Sequence, residues 1–243
     1  MSTTQNLSIP ELICQLCRQF YDLGWVSGTG GGISIRAPEG IYMAPSGVQK
    51  ERILPQDVFL LADPGPSPNP GASADQSHPD EPPSPQILRR PADPLLKVSE
   101  CCPLFLSAYE LRGAGAVIHS HSIWSVLAAQ IFIQGNTASE FVCQDFEMQK
   151  GLRGRGCFEQ IRVPIIANTA REAELTDSLR KAICAYPNVD AVLVAGHGIY
   201  VWGRTWIEAK TQAECYDYLC RAVVEYQRSG LFDPKPKQGS SIL

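Results

Sequence analysis

The chain has 243 residues, 44% of them hydrophobic and 19% charged, with a net charge of -4, which is apolar material enough for one core of ordinary size. That charge gives no electrostatic reason to expect nucleic acid or an anionic membrane as partner, and no apolar run reaches the roughly 18 to 20 residues that span a bilayer. Nine cysteines, an odd count in a chain whose polar start lacks a secretion signal, read as reduced thiols and point to the cytoplasm.

Pro10 sits where a first helical turn tolerates it, and Leu12, Ile13, Leu16, Cys17 and Phe20 recur at helical spacing until Gly24, predicting a helix with one buried face. Cys14 and Cys17 fall within that pattern and are expected to pack. Ser27-Gly28-Thr29-Gly30-Gly31-Gly32 then precedes a short alternating strand through Ile33 and Ile35, and a second strand at residues 41–44 ends in Pro45-Ser46-Gly47. Two such turns after neighbouring strands can offer backbone N–H groups and hydroxyls to one anion. Thr29, Gly30, Gly31, Ser46 and Gly47, with the charge of Lys50 close behind, are candidate phosphate contacts. The glycines fit neither the dinucleotide nor the P-loop signature.

Residues 58–61 form another strand candidate, after which composition changes: residues 63–93 are rich in proline, glycine and serine and offer little to bury. Such a segment cannot offset its ordering entropy, so a disordered insertion within one domain spanning 1–243 is expected. Beyond it the pattern predicts a helix over residues 103–111, a strand over 114–121, and a helix capped by Ser122. A polar stretch over 144–156, a strand at 163–166 and a helix over 171–186 with Thr169 as N-cap follow. A strand at 191–194 and a long helix opened by Thr205 complete the chain. Helices and strands alternate irregularly, which suggests an α/β fold with a mixed sheet, antiparallel in large part.

The chemistry concentrates in histidine. Of four in the chain, His119 and His121 alternate at the end of an apolar strand and so present two imidazoles to one side. His197 follows another apolar strand, between Gly196 and Gly198. Three imidazoles with one position left open form the ligand set of a catalytic divalent-metal site, whereas a fourth protein ligand marks a closed structural one. Such an ion polarises a carbonyl or hydroxyl oxygen. Acid/base work beside it needs a carboxylate, for which Glu100, Glu140, Asp145 and Glu147 are all candidates.

Gly28-Thr29-Gly30-Gly31-Gly32-Ile33-Ser34, Ala44-Pro45-Ser46-Gly47, the His119/His121 pair and Gly196-His197-Gly198 together resemble the class II aldolase/adducin family of metal-dependent lyases. Residues 45–53, 112–119, 147–151 and 214–219 are closer still to dehydratases within it. The resemblance implies a three-layer α/β/α fold with a central mixed, largely antiparallel sheet. It also implies one zinc ion per subunit held by His119, His121 and His197, Glu147 as acid/base residue and Cys101 as a substrate contact. A phosphorylated ketose as substrate and a homotetramer are implied as well. Aldolases of the family carry an acidic residue where Cys101 stands, which favours water loss over aldol cleavage, with Glu100 next door as the alternative alignment. A sugar-phosphate aldolase and a non-catalytic, adducin-like interaction module are the other readings that the family allows.

Overall fold

Ser8 opens helix α1 (Ile9–Asp22), its backbone N–H and hydroxyl both donating to the Glu11 carboxylate. Ile13, Cys14, Leu16, Cys17 and Phe20 form the buried face, so both thiols of the Cys14/Cys17 pair are spent on packing. The computed structural model describes residues 7–66, 85–134 and 140–230. Within them the chain continues through β1 (Gly32–Ala37), β2 (Gly40–Met43), β3 (Phe59–Leu61), β4 (Ile87–Arg89), α2 (Cys102–Arg112), β5 (Ala116–Ser120), α3 (Ile123–Gln134) and β6 (Glu140–Cys143). It ends with β7 (Ile161–Ile166), α4 (Thr176–Ala185), β8 (Ala191–Val194), β9 (Gly198–Gly203) and α5 (Trp206–Ser229).

The strands form one nine-stranded sheet in the order β4-β3-β2-β1-β5-β9-β8-β7-β6. Every pairing is antiparallel except β7 with β8. Side chains alternate across it, as period two demands. On β9, Ile199 and Val201 join the core beneath α1, α3 and α5, while Tyr200 and Trp202 join the core beneath α2 and α4. The result is three layers, helices on both faces of a mixed and largely antiparallel sheet. No helix among the described residues is long and apolar enough to cross a membrane.

Three local expectations need correction. The segment 63–93 is not structureless to its end: Ile87–Arg89 adds to the edge of β3 as β4, Ile87 opposite Leu61 and packed on the core, because an unpaired strand edge and one apolar residue suffice to order it. Residues 67–84 of that insertion lie outside the described residues. The helix expected from 171 begins at Thr176, after a tight turn over Glu172–Leu175, and Thr169 turns its hydroxyl to the Arg171 carbonyl and not to a helix start. Strand β6, just before the polar stretch and where no element was expected, pairs with β7.

Candidate metal centre

Sheet direction decides what meets at the site. Strands β5, β8 and β7 run the same way, β5 and β8 each being antiparallel to β9 and β7 parallel to β8, so the three end at one edge of the sheet. His119 lies on β5, His121 just past its end, His197 in the turn between β8 and β9, and residues 167–172 leave β7 beside them.

The Nε2 atoms of the three histidines form a triangle: 2.9 Å from His121 to His119, 3.2 Å from His119 to His197 and 3.1 Å from His197 to His121. The other ring nitrogens fix the tautomers. His119 Nδ1 donates to the Ile199 carbonyl at 3.1 Å and His197 Nδ1 to the Asn168 side-chain oxygen at 3.0 Å. With protons on Nδ1, the Nε2 lone pairs of His119 and His197 face inward and repel one another unless a cation stands between them. Zinc–nitrogen bonds of 2.0–2.1 Å in tetrahedral array put ligand nitrogens about 3.3 Å apart, close to the triangle observed. Burial holds His119 and His121 below the ordinary imidazole pKa, His121 down to about 3, so both stay in the neutral form that a metal requires. The Tyr200 ring stacks on His119 with centroids 3.9 Å apart and planes 4° from parallel, fixing its orientation.

The expected vacancy is not empty. Glu172 brings Oε1 to 3.4 Å from His119 Nε2 and 3.2 Å from His197 Nε2, so four donor groups gather at one point. This donor set fits a divalent cation. Burial works to raise the Glu172 pKa, but the influence of His119 and His197 prevails and holds it far below the usual carboxylate range. Its other oxygen accepts from the Cys101 thiol at 2.9 Å. Cys101 is therefore the residue of its pair that faces inward, only 5% exposed, while Glu100 is exposed.

Close packing around the ring triangle depends on absent side chains. A Cβ on Gly30 would lie 2.3 Å from His121 Nδ1, and one on Gly198 would lie 2.1 Å from the Ser120 carbonyl oxygen. Both distances are far inside contact. The turn holding Thr29, Gly30 and Gly31 is thus pressed against His121, with Thr29 exposed beside it. Lys50, expected as a phosphate contact, is drawn inside the fold. It is 2% exposed, and Nζ donates to the Thr29 carbonyl at 2.9 Å and the Val48 carbonyl at 3.4 Å. The lysine thereby ties the glycine turn to the Ser46-Gly47 turn from beneath. Ser46 spends its N–H on the Lys97 carbonyl at 2.9 Å.

Glu147 is not drawn into this cluster. It stands on the tight turn Glu147–Gly151 beside α5, its side chain 76% exposed and paired with Lys150 at 2.8 Å. Glu140 is engaged by Arg162 and Tyr186. A groove between residues 150–154 and 204–211 carries Lys150, Arg153 and Arg204, but each of these cations has its own carboxylate. Glu172 and Asn168 escaped sequence reasoning. Neither belongs to a spaced pattern, and only the parallel pairing of β7 with β8 brings them to His197.

Comparison with known proteins identifies the family. Residues 11–224 match the family described as "Class II Aldolase and Adducin N-terminal domain". Relatives named "probable bifunctional methylthioribulose-1-phosphate dehydratase/enolase-phosphatase E1" from Physcomitrium patens and Arabidopsis thaliana are each 48% identical over 94% of this chain and 43% of their own length. The chain thus spans less than half the length of the curated relatives it matches. Among solved structures, an L-fuculose 1-phosphate aldolase superposes with a TM-score of 0.68 at 17% identity, over 98% of this chain and 93% of its own. The L-fuculose-1-phosphate aldolase of Thermus thermophilus gives 0.60 at 21% identity, over 90% and 94%. At such identities these two speak for the fold.

Proposed function

The chain belongs to the class II aldolase and adducin family, and from that premise we propose that it is a zinc-dependent hydro-lyase. It would convert 5-methylthioribulose 1-phosphate to 2,3-diketo-5-methylthiopentyl 1-phosphate in methionine salvage. The observation that carries this reading is the convergence of three imidazoles on one point, in a chain 48% identical to relatives bearing the dehydratase name. Of the two activities in that name we take the dehydratase, since loss of water next to a ketone uses the same carbonyl activation as aldol cleavage.

His119, His121 and His197 would hold the ion, and the ion supplies a Lewis acid toward the ketone and hydroxyl oxygens of the substrate. Glu147 takes the C3 proton, and the C3–H electron pair becomes the C2–C3 double bond of an enediolate as the carbonyl π pair moves onto the C2 oxygen. Those electrons then move to C3–C4 as the C4–O bond breaks, and Glu147 returns its proton to the departing hydroxyl, which leaves as water. The remaining enol ketonises to the diketone, so atoms balance with one water lost. Because Glu147 is exposed on its own chain, we place its working partner at a subunit boundary of a homotetramer in the cytoplasm. The phosphate would rest on Thr29, Gly30, Gly31, Ser46 and Gly47, with Lys50 holding the two turns in register and Cys101 lining the pocket.

The test is an assay with methylthioribulose 1-phosphate on zinc-loaded and chelator-treated protein, scoring water loss against release of a two- or three-carbon fragment. Diketone formation that disappears with the metal is expected. Fragment release would make the protein an aldolase, and absence of both, with no metal bound, an interaction module. Glu147→Gln should keep fold and metal yet lose turnover by about 10²–10⁴-fold, the usual share of general acid–base catalysis. Normal turnover in that variant removes Glu147 from the role.

A further inference from the structure

Glu147 stands exposed and apart from the metal cluster, so its own chain can aim it only through the backbone that carries it. Its pairing with Lys150 is a surface ion pair, which orders little. The turn beneath it is built otherwise. Gln149, two residues on, is fully buried. Its Oε1 accepts from the Phe146 N–H at 3.2 Å and closes the turn on itself. Its Nε2 donates to the Gly156 carbonyl at 3.2 Å and the Glu159 carbonyl at 2.7 Å, which ties the turn to the loop that follows. Both amide hydrogens are thereby spent. Gln212 of α5, the only other buried amide side chain among the described residues, accepts from the Arg153 N–H at 3.1 Å and donates to the Trp202 carbonyl at 2.7 Å. Gly151 lies so near α5 that a Cβ there would collide with the Cys215 sulfur. At the entry to the turn, Asp145 is the one non-glycine among the described residues in the left-handed region, at φ 68°. Such a conformation persists only where its surroundings hold it.

We infer that Gln149 is a positioning residue, its buried amide fixing the turn over 147–151 so that Glu147 points one way before any substrate arrives. This deepens the lyase reading and rests on it for the acid/base role of Glu147. A buried amide costs free energy unless its bonds are all made, whereas a fully bonded one makes its surroundings rigid and single in arrangement. An exposed turn has no need of that rigidity for its own sake. A proton-transfer group does, since it must be held within about 0.5 Å of its working place. The need is greatest for a carboxylate that reacts across a subunit boundary, because its own chain offers no other contact to correct its aim.

The experiment compares zinc-loaded full chains in the methylthioribulose 1-phosphate assay. Gln149→Met keeps the volume and removes all three hydrogen bonds, and Gln149→Asn, an amide one methylene shorter, takes its place should the first fold poorly. Because a 1 Å displacement can cost about 10²-fold, kcat per bound zinc should fall about 10–100-fold, with KM and zinc content within about twofold of wild type. The decisive readout is the double variant: with Glu147→Gln already in place, adding Gln149→Met should cost no more than about a further twofold, because the amide acts through that carboxylate alone. An equally large further loss in that background, or a kcat that holds while a urea melt shows lost stability, overturns the inference and leaves Gln149 a purely structural amide. Normal turnover in Glu147→Gln, or no water loss by the wild type, overturns the lyase reading and this inference with it. An inactive Glu147→Gln beside a Gln149→Met of normal kcat overturns the inference alone.

Discussion

The two halves of the metal centre are built on unlike supports. His119 is fully buried within β5, locked by a carbonyl and a stacked ring, and His121 is pinned just past that strand, its backbone N–H on the Trp25 carbonyl at 2.8 Å. Asn168 and Glu172 come instead from an irregular segment that is mostly exposed. Rigid elements place groups that must not move, and loops carry groups that must. The division sets the strand-borne imidazoles on a rigid support and Asn168 and Glu172 on an irregular one.

The sharpest way to break this comparison is to remove a strand-borne donor. His119→Ala should leave dialysed protein essentially without metal and cut turnover by about 10³-fold, the scale of a Lewis acid worth several kcal/mol. Full metal occupancy by elemental analysis would show that the imidazole triangle is not the holding half. Asn168→Ala, on the loop side, leaves all donors in place and frees only the His197 ring. Metal affinity in a chelator competition should fall roughly 10–100-fold, clearly less than for His119→Ala. Equal losses would erase the distinction between supports.

A smaller effect sharpens the picture from beneath. Lys50→Met strands two carbonyls that the ammonium now satisfies, at a cost of about 1–3 kcal/mol in a denaturant melt. It should also raise KM for the phosphorylated substrate more than it lowers kcat, because the turns it joins would loosen. A more gradual change is the pH response of the metal-free protein. The folded pKa of His121 is near 3 against an unfolded value of 6.5, so as pH falls the unfolded chain takes up the proton first. Stability is therefore full above about pH 6.5 and declines toward pH 3, with a slope of at most about 1.4 kcal/mol per pH unit from this group. His121→Gln should flatten that decline in urea melts across the same range.

How much of this was legible follows the same line. His119 and His121 were readable because strand alternation turns a spacing of two into a shared direction, and His197 because it ends an apolar run between glycines. Most helices and strands were readable from periodicity, down to the long helix opened by Thr205, whose side chain does accept from the Glu208 N–H, while the three layers came from the family resemblance. Glu172 was not, since a carboxylate among Arg171, Glu172 and Glu174 looks like solvated surface until β7 is known to lie parallel to β8. Nor was the burial of Lys50 readable: its charge suggested solvent, and only the fold supplies the two carbonyls that allow it inside. Ile87 reached a strand edge for a related reason, a partner remote in sequence.

Gly30 carries a last lesson for anyone comparing variants of this protein. One added methyl group there would meet the His121 ring at 2.3 Å and turn it away from its companions, while every donor atom stayed in the sequence and the cores on both faces of the sheet stayed whole. A scan for altered histidines would pass such a variant as healthy, yet it would behave like a protein kept permanently in a chelating buffer.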